Sequence, residues 1–409
     1  MKRPELLSPA GNFEKMRAAI LYGADAVYLS GQIFGMRAAA DNFSATELKE
    51  AVEYAHQRGV KVYLTVNTMP RENEYSVLEN YFEEIKNINI DALIIADIGV
   101  LMLARRMLPE IEIHISTQAN AVSAADCRAW HSLGAKRVVL ARELTLEEIK
   151  AIKANIPEEL EIECFVHGSM CVSYSGRCLL SGHILGRDAN RGMCAQPCRW
   201  NYSIRGYEIY EEKRPSDALP VEEINGETFI MASRDTCTIE HIPELVEAGI
   251  NSFKIEGRMK SAYYTAVVTN TYKMALDSYF SGNYEYNPDW YRELESVSHR
   301  DYATGYYFAD SHLDANLSET TGYIKDKAYL ATVLSYDNES GEALLSQRNK
   351  MKEGDAIELL TPGKTGTPLV CEGLKDENGE PIEATSHPYM KFYMRVPFEA
   401  KAGDIIRLA

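Results

Sequence analysis

The sequence predicts an α/β fold: a (β/α) barrel resembling a TIM barrel at the N-terminus, followed by a small all-β barrel domain. Over the first 260 residues, short β-branched or aliphatic runs alternate with amphipathic helical stretches. Such alternation is typical of a parallel sheet with right-handed crossovers. Eight or nine runs favour a barrel, although periodicity alone does not exclude an open sheet. From Gly322 onward, short alternating runs are separated by turns rich in Asn, Gly and Pro, which indicates an all-β domain.

The predicted strands and helices of the first part follow one another in regular order. The strand candidates lie at 4–10, 26–30, 61–67, 92–97, 112–118, 137–143, 161–168, 228–235 and 251–258. Two of the helices between them begin at capping boxes, Ser44 with Glu47 and Thr145 with Glu148. Residues 260–285 predict one long helix. We therefore expect a barrel-like domain over 1–285, a connector over 286–322 and a β-barrel domain over 323–409.

Nearly every predicted strand ends in a polar or small residue. In a (β/α) barrel the carboxyl ends of the strands meet at one mouth, where active sites are built. The residues expected there are Ser8, Ser30, Asn67, Asp97, Thr117, Gln118, Glu143, Ser169, Asp235 and Glu256. Together they predict a functional site at the mouth of the barrel.

Composition limits the class of protein. A hydrophobic content of 45% with 25% charged residues is ordinary for a globular protein. No leader-like segment and no apolar stretch of membrane-spanning length is evident, so we expect a cytoplasmic protein that does not cross a membrane. The net charge of −17 argues against nonspecific coating of nucleic acid. A local basic face stays open, at Arg187, Arg191, Arg199, Lys254, Arg258 and Lys260.

Half of the eight cysteines fall within 28 residues. They are Cys171, Cys178, Cys194 and Cys198, in the spacing C-x6-C-x15-C-x3-C. In the cytoplasm disulfides are rare, so such a cluster indicates metal binding or catalysis. Structural zinc sites favour two short pairs, and only the second pair here is short. The spacing, within a glycine-rich segment, favours an iron–sulfur cluster, with zinc or unliganded redox thiols as alternatives. Cys237 follows a predicted strand end and is a candidate to replace one of the four.

The segment from Glu163 to Ser181, ECFVHGSMCVSYSGRCLLS, resembles the signature of peptidase family U32. The resemblance extends to ELLSPAGNFEKMRAAILYGADAVYLS, GRDANRGMCAQPCRW, FKIEGRMKS and SHRDYATGYYF. It implies one of several activities. One branch of similar proteins forms 5-hydroxyuridine at the tRNA wobble position, using prephenate and depending on iron–sulfur assembly; another hydroxylates ubiquinone precursors, and a third, longer branch modifies ribosomal RNA. Chain length and the two-domain layout favour the tRNA branch.

Two other classes of function stay open. The family name comes from collagenase-like activity, so a U32-type endopeptidase is an alternative. The sequence has neither a G-x-S-x-G elbow nor an H-E-x-x-H helix, which leaves a thiolate with His167 or His183 as base. A non-catalytic, cluster-binding subunit that works with a partner subunit of the same family is the other alternative.

The candidate catalytic residues are His167, Arg234 and Arg258. An acidic co-substrate such as prephenate needs basic partners, and both arginines follow predicted strands, where they could bind a carboxylate in bidentate fashion. The alternative for Arg258 is a salt bridge to Glu256 or Asp235. RNA binding needs aromatic platforms, and the 25 tyrosines and the small β domain are candidates for such contacts.

Overall fold

The computed structural model describes residues 2–37, 41–199, 222–224, 227–229, 233–309, 323–324 and 327–409. The chain divides into two compact units that are each discontinuous in sequence. Unit 1 comprises Met1–Phe13, Asp25–Met259 and His299–Tyr323, and unit 2 comprises Glu14–Ala24, Lys260–Ser298 and Ile324–Ala409.

The strands of unit 1 are, in chain order, β1 (Glu5–Pro9), β2 (Ala26–Ser30), β3 (Lys61–Val66), β4 (Ala92–Ile95), β5 (Glu112–Ile115), β6 (Arg137–Val139), β7 (Glu161–Ser169), β8 (Glu222–Ile224), β9 (Glu227–Phe229), β10 (Asp235–Cys237), β11 (Ser252–Ile255) and β12 (Tyr302–Ala303). Strands β1 to β7 and β11 pair in parallel, each with the next. Because β11 also pairs with both β7 and β1, these eight strands close into a barrel. The predicted TIM-barrel-like fold is confirmed.

The helices are α1 (Phe13–Leu21), α2 (Ala45–His56), α3 (Tyr75–Ile85), α4 (Ile98–Met107), α5 (Ala124–Ser132), α6 (Leu146–Ala154), α7 (Leu180–Leu185), α8 (Ile242–Glu247), α9 (Ala262–Phe280) and α10 (Pro288–Glu295). The predicted capping boxes start α2 and α6, where Glu47 and Glu148 accept from the backbone N–H groups of Ser44 and Thr145. Helix α9 lies within the long helix predicted over 260–285. In the described part of the chain, no helix has the length and apolar character needed to cross a membrane.

One predicted barrel strand is not part of the barrel. The run 228–235 was expected to be a ninth strand, but β9 pairs with β8 in a separate hairpin, and β10 lies antiparallel to β7. Residues 230–232 between them lie outside the described residues. A β-rich run indicates a strand without indicating its direction, and β10 runs against the direction of β7. Strand β12 then pairs in parallel with β10.

Unit 2 contains a seven-stranded antiparallel sheet that curls into a half-barrel. Its strands are β13 (Tyr329–Asp337), β14 (Glu342–Gln347), β15 (Ala356–Leu360), β16 (Thr367–Val370), β17 (Glu372–Lys375), β18 (Lys391–Arg395) and β19 (Ile405–Leu408). The order across the sheet is β16-β15-β19-β13-β14-β18-β17. Helix α10 is bound to this sheet by an ion pair. The buried Arg407 of β19 donates to both carboxylate oxygens of Glu293 on α10, at 2.6 and 2.7 Å.

Candidate active site at the barrel mouth

A small cavity of about 50 Å³ lies at the carboxyl ends of the barrel strands. Its polar and charged lining residues are Arg37, Thr65, Asn67, Ser116, Thr117, Gln118, Lys254, Glu256 and Arg258. Four residues of the predicted strand-end set, Asn67, Thr117, Gln118 and Glu256, are among them. Side chains that are far apart in the first 260 residues therefore lie together at the mouth, as the strand pattern predicts.

The wall of this cavity is backed by a buried ion network in the barrel interior. Lys254 Nζ donates to Glu163 Oε1 at 2.7 Å and lies 4.4 Å from the centre of the Tyr28 ring. Arg137 Nη1 donates to the other oxygen of Glu163 at 3.0 Å. Burial alone would raise the pKa of Glu163, but the charges of Lys254 and Arg137 outweigh it and lower the pKa to about 2. Glu163 is therefore a carboxylate at neutral pH, and it holds Lys254 at the cavity wall.

Two arginines complete the charged lining. Arg258 is buried, and its Nη2 donates to the backbone oxygen of Met36. Burial lowers the pKa of Arg258 to about 10, so the guanidinium is still charged at neutral pH. Arg37 Nη2 lies 3.6 Å from Glu256 Oε1. Three cations thus line a cavity whose own carboxylate is Glu256, and this balance favours an anionic ligand.

The cysteine segment, residues 170–199, packs directly onto this mouth at two glycines with left-handed backbone. A Cβ on Gly176, φ +71°, would lie 2.6 Å from the backbone oxygen of Gln118. A Cβ on Gly192, φ +88°, would lie 3.0 Å from the backbone oxygen of Gly35. Only glycine allows both the backbone conformation and this approach. Cys178 and Cys194 each lie two residues from one of these contacts, so both are held beside the loops that line the cavity.

Hydrogen bonds order the turns around the thiols. Asn190 accepts from the backbone N–H of Cys178 at 3.1 Å and donates to its carbonyl at 2.8 Å. The backbone N–H of Gln196 donates to Cys194 Sγ at 3.4 Å. Cys178 also lines a second, wider cavity of about 590 Å³ with Arg71 and Arg191. The segment therefore presents one thiol to a cavity large enough for a nucleoside.

The four cysteines match an iron–sulfur cluster in donor type, since such clusters are held by four thiolates. All four are half-buried. Within the described residues, however, no group of three or more His, Cys, Asp or Glu side chains is arranged to hold a metal ion. The ligand set thus stays a prediction for Cys171, Cys178, Cys194 and Cys198.

The other predicted residues lie around this mouth in different ways. Arg258 lines the cavity, whereas the described cavity lining does not include His167 or Arg234. His167 is buried on β7, with its Nε2 3.5 Å from the hydroxyl of Tyr302. The ring of His299 stacks on the same tyrosine, with 4.3 Å between ring centres. Cys237 is buried opposite His167 in the β7–β10 pairing.

Arg300 is the residue that sequence reasoning missed. It is buried, and its Nε and Nη2 both donate to Oδ1 of Asp235, with Nε at 2.9 Å. Its Nη2 also donates to the backbone oxygen of Met170 at 3.3 Å. Ser233 donates to the same oxygen at 2.8 Å. Because Met170 immediately precedes Cys171, this group anchors the start of the cysteine segment. The one signal in the sequence was the position of Arg300 inside SHRDYATGYYF, a stretch carried by the family resemblance.

The sequence model for Peptidase family U32 matches residues 11–316, and the model for the U32 C-terminal domain matches residues 325–407. The chain belongs to peptidase family U32. Among U32 relatives, it is 38% identical to "tRNA hydroxylation protein P1" of Bacillus subtilis (strain 168), over 95% of this chain and 90% of that protein.

Two further relatives show the range of names within the family. "tRNA hydroxylation protein P" of Escherichia coli (strain K12) is 34% identical over 97% of this chain and 94% of its own length. A protein named "Collagenase" from Porphyromonas gingivalis (strain ATCC BAA-308 / W83) is 32% identical over 88% of this chain and 86% of its own length. The U32 chain is thus similar along most of its length to proteins named for two different activities.

Proposed function

We propose that this U32 chain is an enzyme that hydroxylates the wobble uridine of tRNA to 5-hydroxyuridine. The observation that carries the proposal is the near full-length similarity to the two proteins named for tRNA hydroxylation. The site supports it, because a thiol-bearing segment covers a cationic cavity at the barrel mouth. The proposal places the chain in the cytoplasm, where tRNA is available.

We propose prephenate, or a similarly acidic small molecule, as co-substrate. Arg258 and Lys254 are buried cations on the wall of the small cavity, and Arg37 lies at the same wall. A cavity of about 50 Å³ has room for little more than one carboxylate group. One carboxylate of the co-substrate would therefore insert between these cations while the rest of the molecule stays in the mouth. Arginine suits this role because its planar fork can bind a carboxylate through two N–H groups.

The proposed cofactor is an iron–sulfur cluster of the 4Fe–4S type, held by Cys171, Cys178, Cys194 and Cys198. When bound, such a cluster supplies one-electron redox chemistry that side chains lack. The chain's own residues would hold the uridine in the 590 Å³ cavity that Cys178, Arg71 and Arg191 line, while the close contacts of Gly176 and Gly192 fix the cysteine segment against the barrel mouth. Zinc on the same cysteines is the alternative cofactor.

Absorbance of the anaerobically purified protein tests the cofactor separately from activity. We expect a band near 400 nm with about four irons per chain, and its loss in Cys171→Ala and Cys194→Ala. Cys127→Ala is the matched control, because that buried thiol lies on α5 outside the cysteine segment. A colourless protein with stoichiometric zinc after anaerobic reconstitution would contradict the cluster and support the zinc alternative.

Nucleoside analysis tests the function itself. In a strain that lacks the gene, we expect 5-hydroxyuridine to disappear from the wobble position and to return with the wild-type gene. Purified chain that modifies tRNA only in the presence of a second U32 protein would indicate a partner subunit. The similarity to the protein named "Collagenase" favours peptidase activity as the second candidate. If the wobble uridines are unchanged in the deletion strain and the purified chain cleaves gelatin, the proposed hydroxylation is refuted and peptidase activity is supported.

A further inference from the structure

An exposed tyrosine of unit 2 lies at the outer end of a continuous stack of rings and a guanidinium. The stack begins at Tyr263, which is 2% exposed, and continues to Tyr329, with 5.6 Å between ring centres. Arg348 lies over the Tyr329 ring at 5.8 Å and over the Tyr389 ring at 4.7 Å. Tyr389 is 69% exposed. The stack thus runs outward from the core of the unit and ends in a ring that faces solvent.

The platform is rigid up to this last ring. Arg348 donates to Ser346 Oγ at 2.9 Å and to Glu14 at 3.0 Å, so its guanidinium is fixed between the two tyrosines. The backbone around Tyr389 is fixed as well. Its N–H donates to the oxygen of Gln347 at 2.9 Å, and the N–H of Gln347 donates to the oxygen of Met390 at 2.9 Å.

Tyr389 also has an unusual backbone conformation, with φ of +63°. A bulky side chain in the left-handed region costs free energy, and such strain persists at positions that serve a function. Burial of the ring does not repay the cost, because the ring is mostly exposed. A single exposed tyrosine is ordinary on a protein surface. Tyr389 differs because its backbone is strained and its ring stacks on a guanidinium that is held in place.

The charges beside the ring are positive. Lys391 and Lys350 are exposed on the two segments that carry Tyr389 and Arg348. On strand β18, Lys391 and Tyr393 point outward while Phe392 between them is buried in the sheet core. The carboxylate of Glu14 is paired with Arg348, at 3.0 Å. In a chain of net charge −17, two exposed lysines beside a stacking platform favour a polyanion that also offers planar rings.

We propose that Tyr389 and Arg348 form a stacking platform for an unpaired base of RNA, with Lys391 and Lys350 contacting the flanking phosphates. Proteins bind single-stranded RNA by this combination of aromatic stacking and basic contacts. The RNA class rests on the proposed tRNA function. The platform lies within unit 2 and belongs to substrate docking, separate from the chemistry at the barrel mouth.

Fluorescence anisotropy with the full-length protein and a labelled tRNA transcript tests the platform. Tyr389→Gly removes the ring and also relieves the backbone strain, so its melting temperature is expected to equal or exceed that of the wild type. We expect it to bind the transcript about tenfold more weakly, from the loss of one stacked base. Tyr389→Phe keeps the stack and is expected to bind within about twofold of the wild type. Phe280→Ala, which removes another exposed ring from unit 2, is the control and should leave binding unchanged.

A charge variant adds a second readout. Lys391→Ala is expected to reduce the salt dependence of binding by about one phosphate contact. Wild-type binding by Tyr389→Gly would overturn the platform while leaving tRNA hydroxylation untouched, and would point to a protein partner for this surface. Persistence of 5-hydroxyuridine in the deletion strain, together with Tyr389-dependent RNA binding, would refute the proposed function but support the platform.

Discussion

Replacing Glu163 by Gln removes the central carboxylate of the barrel interior with almost no change in side-chain volume. Glu163 is fully buried and receives hydrogen bonds from Lys254 at 2.7 Å and from Arg137 at 3.0 Å. In Glu163→Gln, both cations lose their negative partner. Lys254 then lies at the cavity wall with its charge uncompensated by the residue behind it.

The expected loss of stability follows from the pKa of Glu163. The fall from the ordinary value of 4.5 to about 2 corresponds to about 3 kcal/mol of preferential interaction with the charged form. Removal of one partner from a buried ion pair typically costs about 3–5 kcal/mol, which agrees with this figure. We therefore expect Glu163→Gln to lower the free energy of unfolding by about 3 kcal/mol at pH 7.

Urea unfolding at a series of pH values measures this difference. Because the pKa of Glu163 is depressed, its contribution is complete above about pH 4.5 and is lost as the pH falls toward 2. The difference in free energy of unfolding between wild type and Glu163→Gln should therefore become smaller as the pH falls through this range, since the other carboxylates titrate alike in both proteins. Glu158→Gln, an exposed change nearby in sequence, is the control and is expected within about 0.5 kcal/mol of wild type. A gap that is below about 1 kcal/mol at pH 7, or that does not vary with pH, would refute the ion network as a source of stability.

Three further changes test how the mouth is built. Arg300→Lys loses the paired guanidinium contact with Oδ1 of Asp235 and the contact with Met170, so tryptic cleavage within residues 170–199, measured by gel electrophoresis, should accelerate about tenfold. An unchanged cleavage rate would refute the anchoring role. In thermal melts, Gly176→Ala should lower the free energy of unfolding by about 1–3 kcal/mol more than Gly186→Ala does. Both glycines have a left-handed backbone, but of these two only Gly176 is close to a backbone oxygen. Equal losses of stability in the two variants would contradict the close packing. Arg258→Lys should weaken prephenate binding at least about tenfold by calorimetry, and unaltered affinity would remove Arg258 from the carboxylate site.

Features set by short stretches of sequence could be predicted. The capping boxes at Ser44 and Thr145 involve residues three apart, so the local pattern determines them. The parallel barrel could be predicted because strands buried on both faces leave a distinct apolar pattern. Strand ends then indicated where polar residues such as Asn67 and Glu256 would meet.

Features set by distant contacts could not be predicted. Glu163 and Lys254 are 91 residues apart, and Arg300 and Asp235 are 65 apart, so no local pattern pairs them. The run 228–235 has the composition of a barrel strand, and only its pairing partners show that it does not belong to the barrel. For Arg258, the sequence indicated a place at the mouth, while its contact with Met36 depends on the loop after β2.

The wobble nucleoside of tRNA tests the central claim most directly. In a deletion strain carrying each gene variant at equal protein level, the fraction of 5-hydroxyuridine is measured by mass spectrometry. We expect wild type and Cys371→Ser to restore it, because Cys371 is buried in the core of unit 2, and we expect Cys178→Ser and Arg258→Lys to fail. Full restoration by Cys178→Ser and Arg258→Lys would contradict a reaction centre at the barrel mouth.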